Sequence, residues 1–254
     1  MKILIEKDYE AMSARAARIV AERIRRKPDL VLGLATGSTP IGMYRHWIGM
    51  VQAGDLSFTD VTTFNLDEYV GLAGDHPQSF RTFMHEQLFR QIDVKPERTH
   101  IPDGVAPDLA AECAEYNRLI EEAGGIDVQI LGIGKNGHIG FNEPGEDFGK
   151  LTHVVRLSEN TRRANSRFFP RLEDVPTHAI TMGLKSIMNA RQIVLLAAGT
   201  DKCDAVQRAL YGDVTEDLPA SVLQLHPNCV VVLDEAAASK LPADGNNGKW
   251  EMEK

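Results

Sequence analysis

The run GIGKNGHIGFNEP at 132–144 follows directly on an apolar stretch and places the imidazole of His138 five residues before the carboxylate of Glu143. A histidine flanked by glycines at a strand end is placed for acid–base work, with the carboxylate orienting the ring or sharing its charge. The opening of the run also fits the dinucleotide pattern GxGxxG. Such a loop must open a long helix, whereas Gly140 and Pro144 interrupt this one within two turns, so dinucleotide binding is excluded. A second candidate is the pair Asp67 and Glu68, which ends another apolar stretch. Neighbours there point in different directions. One carboxylate can face a crevice as a general base, while a helix cap or a solvated acid is the alternative reading of the pair.

Two further places suit an anion. The segment ATGSTP at 35–40 puts small residues and hydroxyls before a proline fitted to the first position of a helix. It is either an ordinary capped turn or a phosphate cradle built from free N–H groups. No GK[ST] follows, so it is not a Walker loop. After a later apolar run, Gly199-Thr200-Asp201-Lys202 sets Lys202 near a helix start, and Arg162, Arg163 and Arg167 lie in an irregular stretch. Taken singly these are solvated cations. Together, Lys202, one arginine and the hydroxyl-rich turn could surround a phosphate dianion. Patterns for metal or serine-nucleophile chemistry are missing: there is no HExxH, no Cys/His cluster at ligand spacing and no GxSxG elbow.

These residues must be held by the elements between them. Short apolar runs at 3–5, 30–34, 61–66, 128–133, 178–182, 193–198 and 229–233 read mostly as buried strands. Between the first two, Tyr9, Met12, Ala16, Ile19, Val20 and Ile24 recur at helical spacing, and Pro28 stops that helix near Lys27. Further helices are predicted over 41–51, 79–92, 108–123 and 201–211. Strands alternating with helices imply an α/β fold with a mostly parallel sheet and helices on both faces. In such a sheet, ligands bind beyond the carboxyl ends of the strands. One domain is expected over 1–241, with a flap at about 144–176 and a frayed tail at 242–254.

Composition narrows the class. Of 254 residues, 43% are apolar and 25% charged, which excludes a disordered chain. A net charge of -8 argues against nucleic acid or an anionic membrane as the main partner, while leaving room for a local basic pocket. Cys113, Cys203 and Cys229 are too far apart for a CxxC pair and odd in number, as reduced thiols would be. The N-terminal MKILIEKDYE lacks the apolar core of a signal peptide, and no run approaches the ~20 residues that span a bilayer. A soluble, cytoplasmic protein is expected.

Through LATGSTP at 34–40, FNLDEYVGL at 64–72, GIGKNGHIGFNEPG at 132–145, ENTRRANSRFF at 159–169 and LQLHP at 223–227, the sequence resembles the glucosamine-6-phosphate deaminases over about 1–238. The resemblance implies a Rossmann-like three-layer α/β/α sandwich, as in ribose-5-phosphate isomerase and CoA transferases. It also implies conversion of glucosamine 6-phosphate to fructose 6-phosphate and ammonia, a hydrolase label over aldose–ketose isomerase chemistry, with no cofactor or metal. On this reading His138 moves the proton that opens the pyranose ring, supported by Glu143 and Asn136, and Asp67 transfers a proton between C2 and C1. Gly37, Ser38, Thr39, Arg167 and Lys202 hold the phosphate. Asn136 departs from a well-studied branch of the family, which has Asp there. An amide can hold His138 by hydrogen bonding but cannot share its charge, so Glu143 carries more of the electrostatic work. The hexameric, allosteric branch binds N-acetylglucosamine 6-phosphate through basic residues aligned with His153 and Val155, so no such activation is expected, and a monomer or small homo-oligomer is. Two alternatives stand beside this reading. One is a 6-phosphogluconolactonase, whose motifs resemble DER and DGH with SLFP where this chain has DEY and FNEP. The other is a non-catalytic sugar-phosphate sensor, against which the intact Asp67, His138 and Glu143 weigh.

Overall fold

The computed structural model describes residues 1–242 and 251–253. Its first half runs β1 (Lys2–Glu6), α1 (Tyr9–Arg26), β2 (Val31–Leu34), α2 (Ile41–Gln52), β3 (Thr62–Asn65), β4 (Asp67–Tyr69), α3 (Phe80–Gln87), β5 (Thr99–His100) and α4 (Leu109–Glu122). The second half runs β6 (Val128–Gly132), β7 (His153–Arg156), α5 (Glu159–Asn165), β8 (His178–Thr181), α6 (Leu184–Met188), β9 (Gln192–Ala197), α7 (Cys203–Tyr211), β10 (Cys229–Asp234) and β11 (Glu251–Glu253). Local signals explain the best-defined helix. Asp8 caps α1 by accepting the Ala11 N–H at 2.8 Å, Met12, Ala16, Val20 and Ile24 face the core, and Arg23, Arg25 and Arg26 sit in the last turn, where the helix dipole favours cations.

Eight strands form one sheet in the order β11-β1-β10-β9-β6-β2-β3-β5, every neighbouring pair parallel. Helices cover both faces, giving the three-layer α/β/α sandwich. From β2 the chain moves outward through β3 and β5, and from β6 it moves the opposite way through β9 and β10. The sheet therefore has its switch point between β2 and β6, where a crevice opens at the carboxyl ends of the strands. At the other end of the sheet charge is locked away. Buried Asp127 accepts from the Val31 N–H at 2.8 Å and pairs with Lys27 at 2.5 Å and Arg191 at 3.1 Å.

A smaller antiparallel sheet, β4-β8-β7, stands against the carboxyl ends. The chain changes sheets at Leu66: its N–H donates to Leu34 of the large sheet, and its carbonyl accepts from Met182 beside the small one. Asp67 is thereby the first residue of β4, paired with Thr181, which pairs in turn with His153. Seven buried residues, Tyr69, Phe141, Val155, Leu157, Phe169, Val175 and Ala179, make a second core under this sheet, separate from the main one.

Several expectations are corrected in detail. The run 178–182 is not part of the parallel sheet, because β8 lies antiparallel between β4 and β7. The helix expected over 79–92 ends at Gln87, where Leu88 leaves helical geometry (φ -143°), and a short 3-10 turn follows. The stretch 144–176 holds β7 and α5. Of the tail expected to fray, Glu251–Glu253 pair with β1 at the sheet edge; residues 243–250 and 254 lie outside the described residues. No helix among the described residues is long and apolar enough to cross a membrane.

Candidate active site

The loops after β9, β6, β2 and β3 leave the same edge of adjacent strands, spaced about 5 Å apart, so their first residues converge on one crevice. After β2, the segment at 35–40 is stitched down by its backbone. Tyr9 Oη accepts the Gly42 N–H at 2.8 Å and reaches the carbonyls of Ser38 and Thr39 at 3.0 and 3.2 Å. Tyr44 Oη donates to the Ala35 carbonyl at 2.5 Å. With these carbonyls occupied, the N–H groups of Gly37, Ser38 and Thr39 donate to nothing among the described residues, the arrangement an anion requires.

After β6, the glycine-rich loop builds a relay. Asn136 Nδ2 donates to Glu143 Oε2 at 2.7 Å, and Asn136 Oδ1 lies 2.7 Å from His138 Nδ1. The carboxylate fixes which end of the amide is which, since only the NH2 end can face it. The oxygen end must then accept from His138 Nδ1–H, which leaves Nε2 unprotonated in the neutral ring. Glu143 also stands 3.9 Å from His138 Nδ1, close enough to stabilise an imidazolium without bonding it. Burial lowers the His138 pKa below its ordinary value; Glu143 opposes that shift and Lys202 adds to it. Gly134 makes room for the ring. A Cβ there would stand 2.2–2.5 Å from three atoms of the imidazole, so no other residue fits at this position without displacing His138.

Asp67 approaches the same loop from the small sheet. Thr181, its cross-strand partner, accepts the Phe141 N–H at 3.1 Å, and a Cβ on Gly140 would lie 3.6 Å from Asp67 Oδ2. The Asp67 side chain is buried, yet it accepts no hydrogen bond among the described residues. Burial, with the neighbouring Glu68 charge as a second cause, pushes its pKa up to about 8. Glu68 points the other way. Its carboxylate accepts the N–H groups of Tyr69, Phe80 and Arg81 at 2.8–2.9 Å and so anchors the N-terminus of α3. Burial raises its pKa against the pull of those three donors.

The cations gather after β9. Lys202, half-buried, has its pKa lowered by burial and by the nearby charges of Lys135 and Arg167. Lys135 is itself paired with Asp201 at 3.2 Å. Of the three arginines in the 159–169 segment, Arg162 binds the carbonyls of Leu172 and Val175, and Arg163 pairs with Glu159. Arg167 has no carboxylate partner among the described residues; it lies over the Phe168 ring at 4.7 Å, and its charge is one of those that lower the Lys202 pKa.

A sequence model described as glucosamine-6-phosphate isomerases/6-phosphogluconolactonase matches residues 6–232. The chain belongs to this family. It is 55% identical over 242 residues to a glucosamine-6-phosphate deaminase of Thermoanaerobacter pseudethanolicus, covering 95% of this chain and 96% of that one. It is 56% identical over 245 residues to glucosamine-6-phosphate deaminase 2 of Bacillus subtilis, covering 95% and 98%. Among solved structures, a monomeric glucosamine-6-phosphate deaminase superposes with a TM-score of 0.92 at 51% identity, covering 94% of this chain and 99% of that one. A 6-phosphogluconolactonase from Trypanosoma cruzi shares the fold, with a TM-score of 0.76 at 19% identity over 95% and 97% of the two chains.

The fold brings Asn136, His138 and Glu143 into direct contact and sets Asp67 beside Gly140 of the same loop. It also sets Arg167 close enough to Lys202 for its charge to lower the pKa of that lysine. Three contributors are not among the candidate site residues read from the sequence: Tyr9, which shapes the segment at 35–40; Gly134, whose missing side chain seats the histidine; and Thr161, which bonds Glu143. Thr161 had one detectable sign, its place three residues after a Ser that can cap a helix.

Proposed function

We propose that the chain catalyses the isomerising deamination of glucosamine 6-phosphate to fructose 6-phosphate and ammonia, serving amino-sugar breakdown in the cytoplasm as a monomer. The observation that carries this reading is an imidazole whose Nδ1 is held by Asn136 and a buried carboxylate, unbonded among the described residues, that approaches the same glycine-rich loop from the second sheet. His138 Nε2 takes the proton of the C1 hydroxyl and returns one to the ring oxygen, which opens the pyranose, and Glu143 stabilises the transient imidazolium through Asn136 and through space. Asp67 then removes the C2 proton and delivers it to C1. The electron pair of the C2–H bond becomes the enolamine double bond as the C1 carbonyl pair moves to O1, which takes a proton; protonation at C1, with the nitrogen lone pair forming C=N and an N–H proton released, leaves a C2 imine. Water adds to that imine and ammonia departs, so the step is an isomerisation followed by hydrolysis of the imine, with no outside oxidant. A base with a pKa near 8 is strong enough to take a carbon-bound proton and still partly ionised at neutral pH. The free N–H groups of Gly37, Ser38 and Thr39, with Arg167 and Lys202, hold the phosphate and fix the sugar's position.

A coupled assay for ammonia and fructose 6-phosphate, run with glucosamine 6-phosphate beside its galactosamine epimer and 6-phosphogluconolactone, tests the reading. Turnover of the lactone without ammonia release from either amino sugar would overturn it.

A further inference from the structure

The Glu143 carboxylate is gripped from two sides, and one of them lies outside the glycine-rich loop. Oε2 accepts from Asn136, while Oε1 accepts the hydroxyl of Thr161 in the first turn of α5. Thr161 is buried, and its hydroxyl lies 3.0 Å from Ser158 Oγ, the oxygen that caps α5 by accepting the Thr161 N–H at 3.1 Å. A threonine hydroxyl carries one proton. With Ser158 donating to it, that proton goes to Glu143, and the donors run in one direction from α5 into the carboxylate. With Oε1 held by Thr161, the carboxylate is kept with Oε2 against the NH2 end of Asn136, which leaves the oxygen end toward His138. Among the described residues no other hydrogen bond joins α5 to the glycine-rich loop. Arg167 follows Thr161 by six residues on the same segment.

We propose that Thr161 is a positioning residue of the acid–base relay: its hydroxyl clamps Glu143 so that Asn136 fixes the tautomer of His138, and it ties that relay to the segment bearing Arg167. The kinetic arm of the test rests on the deaminase reading, and the spectroscopic arm does not. Thr161→Val keeps the shape and removes the hydroxyl; Thr161→Ser keeps the hydroxyl. With glucosamine 6-phosphate, the valine variant is expected to lose at least ~10-fold in kcat, less than the ~10²–10⁴-fold contributed by a group that itself transfers the proton, with KM moved less than ~3-fold, while the serine variant stays within ~3-fold of wild type. Nitrogen-15 spectra of His138 in the free protein are expected to show the proton on Nδ1 in wild type and Thr161→Ser, and a mixture of tautomers in Thr161→Val. Should the valine variant fail to fold, Thr161→Ala provides the same two readouts. The proposal falls if the hydroxyl-free variant keeps its kcat, if valine and serine are equally impaired, or if the His138 tautomer is unchanged without the hydroxyl. A wild type that releases no ammonia would sink the deaminase reading and leave the spectra to decide the clamp.

Discussion

At Asp67 a carboxylate is buried without a hydrogen bond, and its pKa stands near 8 because burial, helped by Glu68, opposes its charge. A base must be deprotonated to act, so deamination and exchange of the C2 hydrogen with solvent are expected to rise with pH toward a plateau above about 8. Asp67→Asn keeps the shape and removes the basicity; both activities should fall by ~10²-fold or more, and retention of a tenth of the wild-type rate would remove Asp67 from that role. The same substitution has an opposite effect on folding. Between its ordinary pKa and about 8, the folded chain holds this proton more tightly than the unfolded chain does. That contribution to stability is full at low pH and lost as pH rises through about 8, so Asp67→Asn should raise Tm most in alkaline buffer. Glu68→Gln removes the second cause of the Asp67 shift while keeping an oxygen for the α3 amides, and the acid limb of kcat/KM should move to lower pH. An unchanged limb would mean that burial alone sets the base. Residue type and strand-end position made Asp67, His138 and Glu143 legible in the sequence. Thr161 was not, because it meets Glu143 across 18 residues of chain and nothing in a threonine's type announces a carboxylate partner.

The elements that hold these residues were legible where local signals sufficed. Apolar runs marked β1, β2 and β6, and helical spacing with a stop at Pro28 marked α1, but a short apolar run looks the same in a parallel or an antiparallel sheet. The direction of β8 is set by its partners β4 and β7, and β7 is itself hidden in a polar, arginine-rich stretch. The segment at 159–169 touches both parts of the candidate site, since α5 bonds the relay at one end and the Arg167 charge acts on Lys202 at the other. Arg167→Ala and Lys202→Ala should each raise KM for glucosamine 6-phosphate by roughly 10-fold or more, the loss of a charge-assisted contact worth ~1.5–3 kcal/mol. Unphosphorylated glucosamine should be a poor substrate for wild type and equally poor for both variants. Comparable kcat/KM for the free sugar would show that these cations serve something other than the phosphate.

Across the whole molecule, the resemblance to the deaminases sets the expectation for regulation at His153 and Val155, the positions aligned with the activator contacts of the allosteric branch. Val155 is buried in the second core, and His153 spends Nδ1 on the Leu151 carbonyl while Nε2 lies 3.5 Å from the Glu146 carboxylate. Val155 offers no donor to a phosphate and His153 spends Nδ1 on a carbonyl, and an effector acts only through contacts that differ between two states. Initial rates should therefore be hyperbolic in substrate and unmoved by N-acetylglucosamine 6-phosphate; sigmoidal curves straightened by it would reveal another site. The division into two cores has a consequence for heat. Asp67 and the arginine-bearing segment depend on the smaller core of seven residues, while the sheet that gives the protein its circular dichroism rests on the larger one. Local opening follows the count of buried apolar contacts. A warming series should show half of the activity gone several degrees below the spectroscopic melting point, and recovered on cooling from that interval: the chain stops working before it stops being folded.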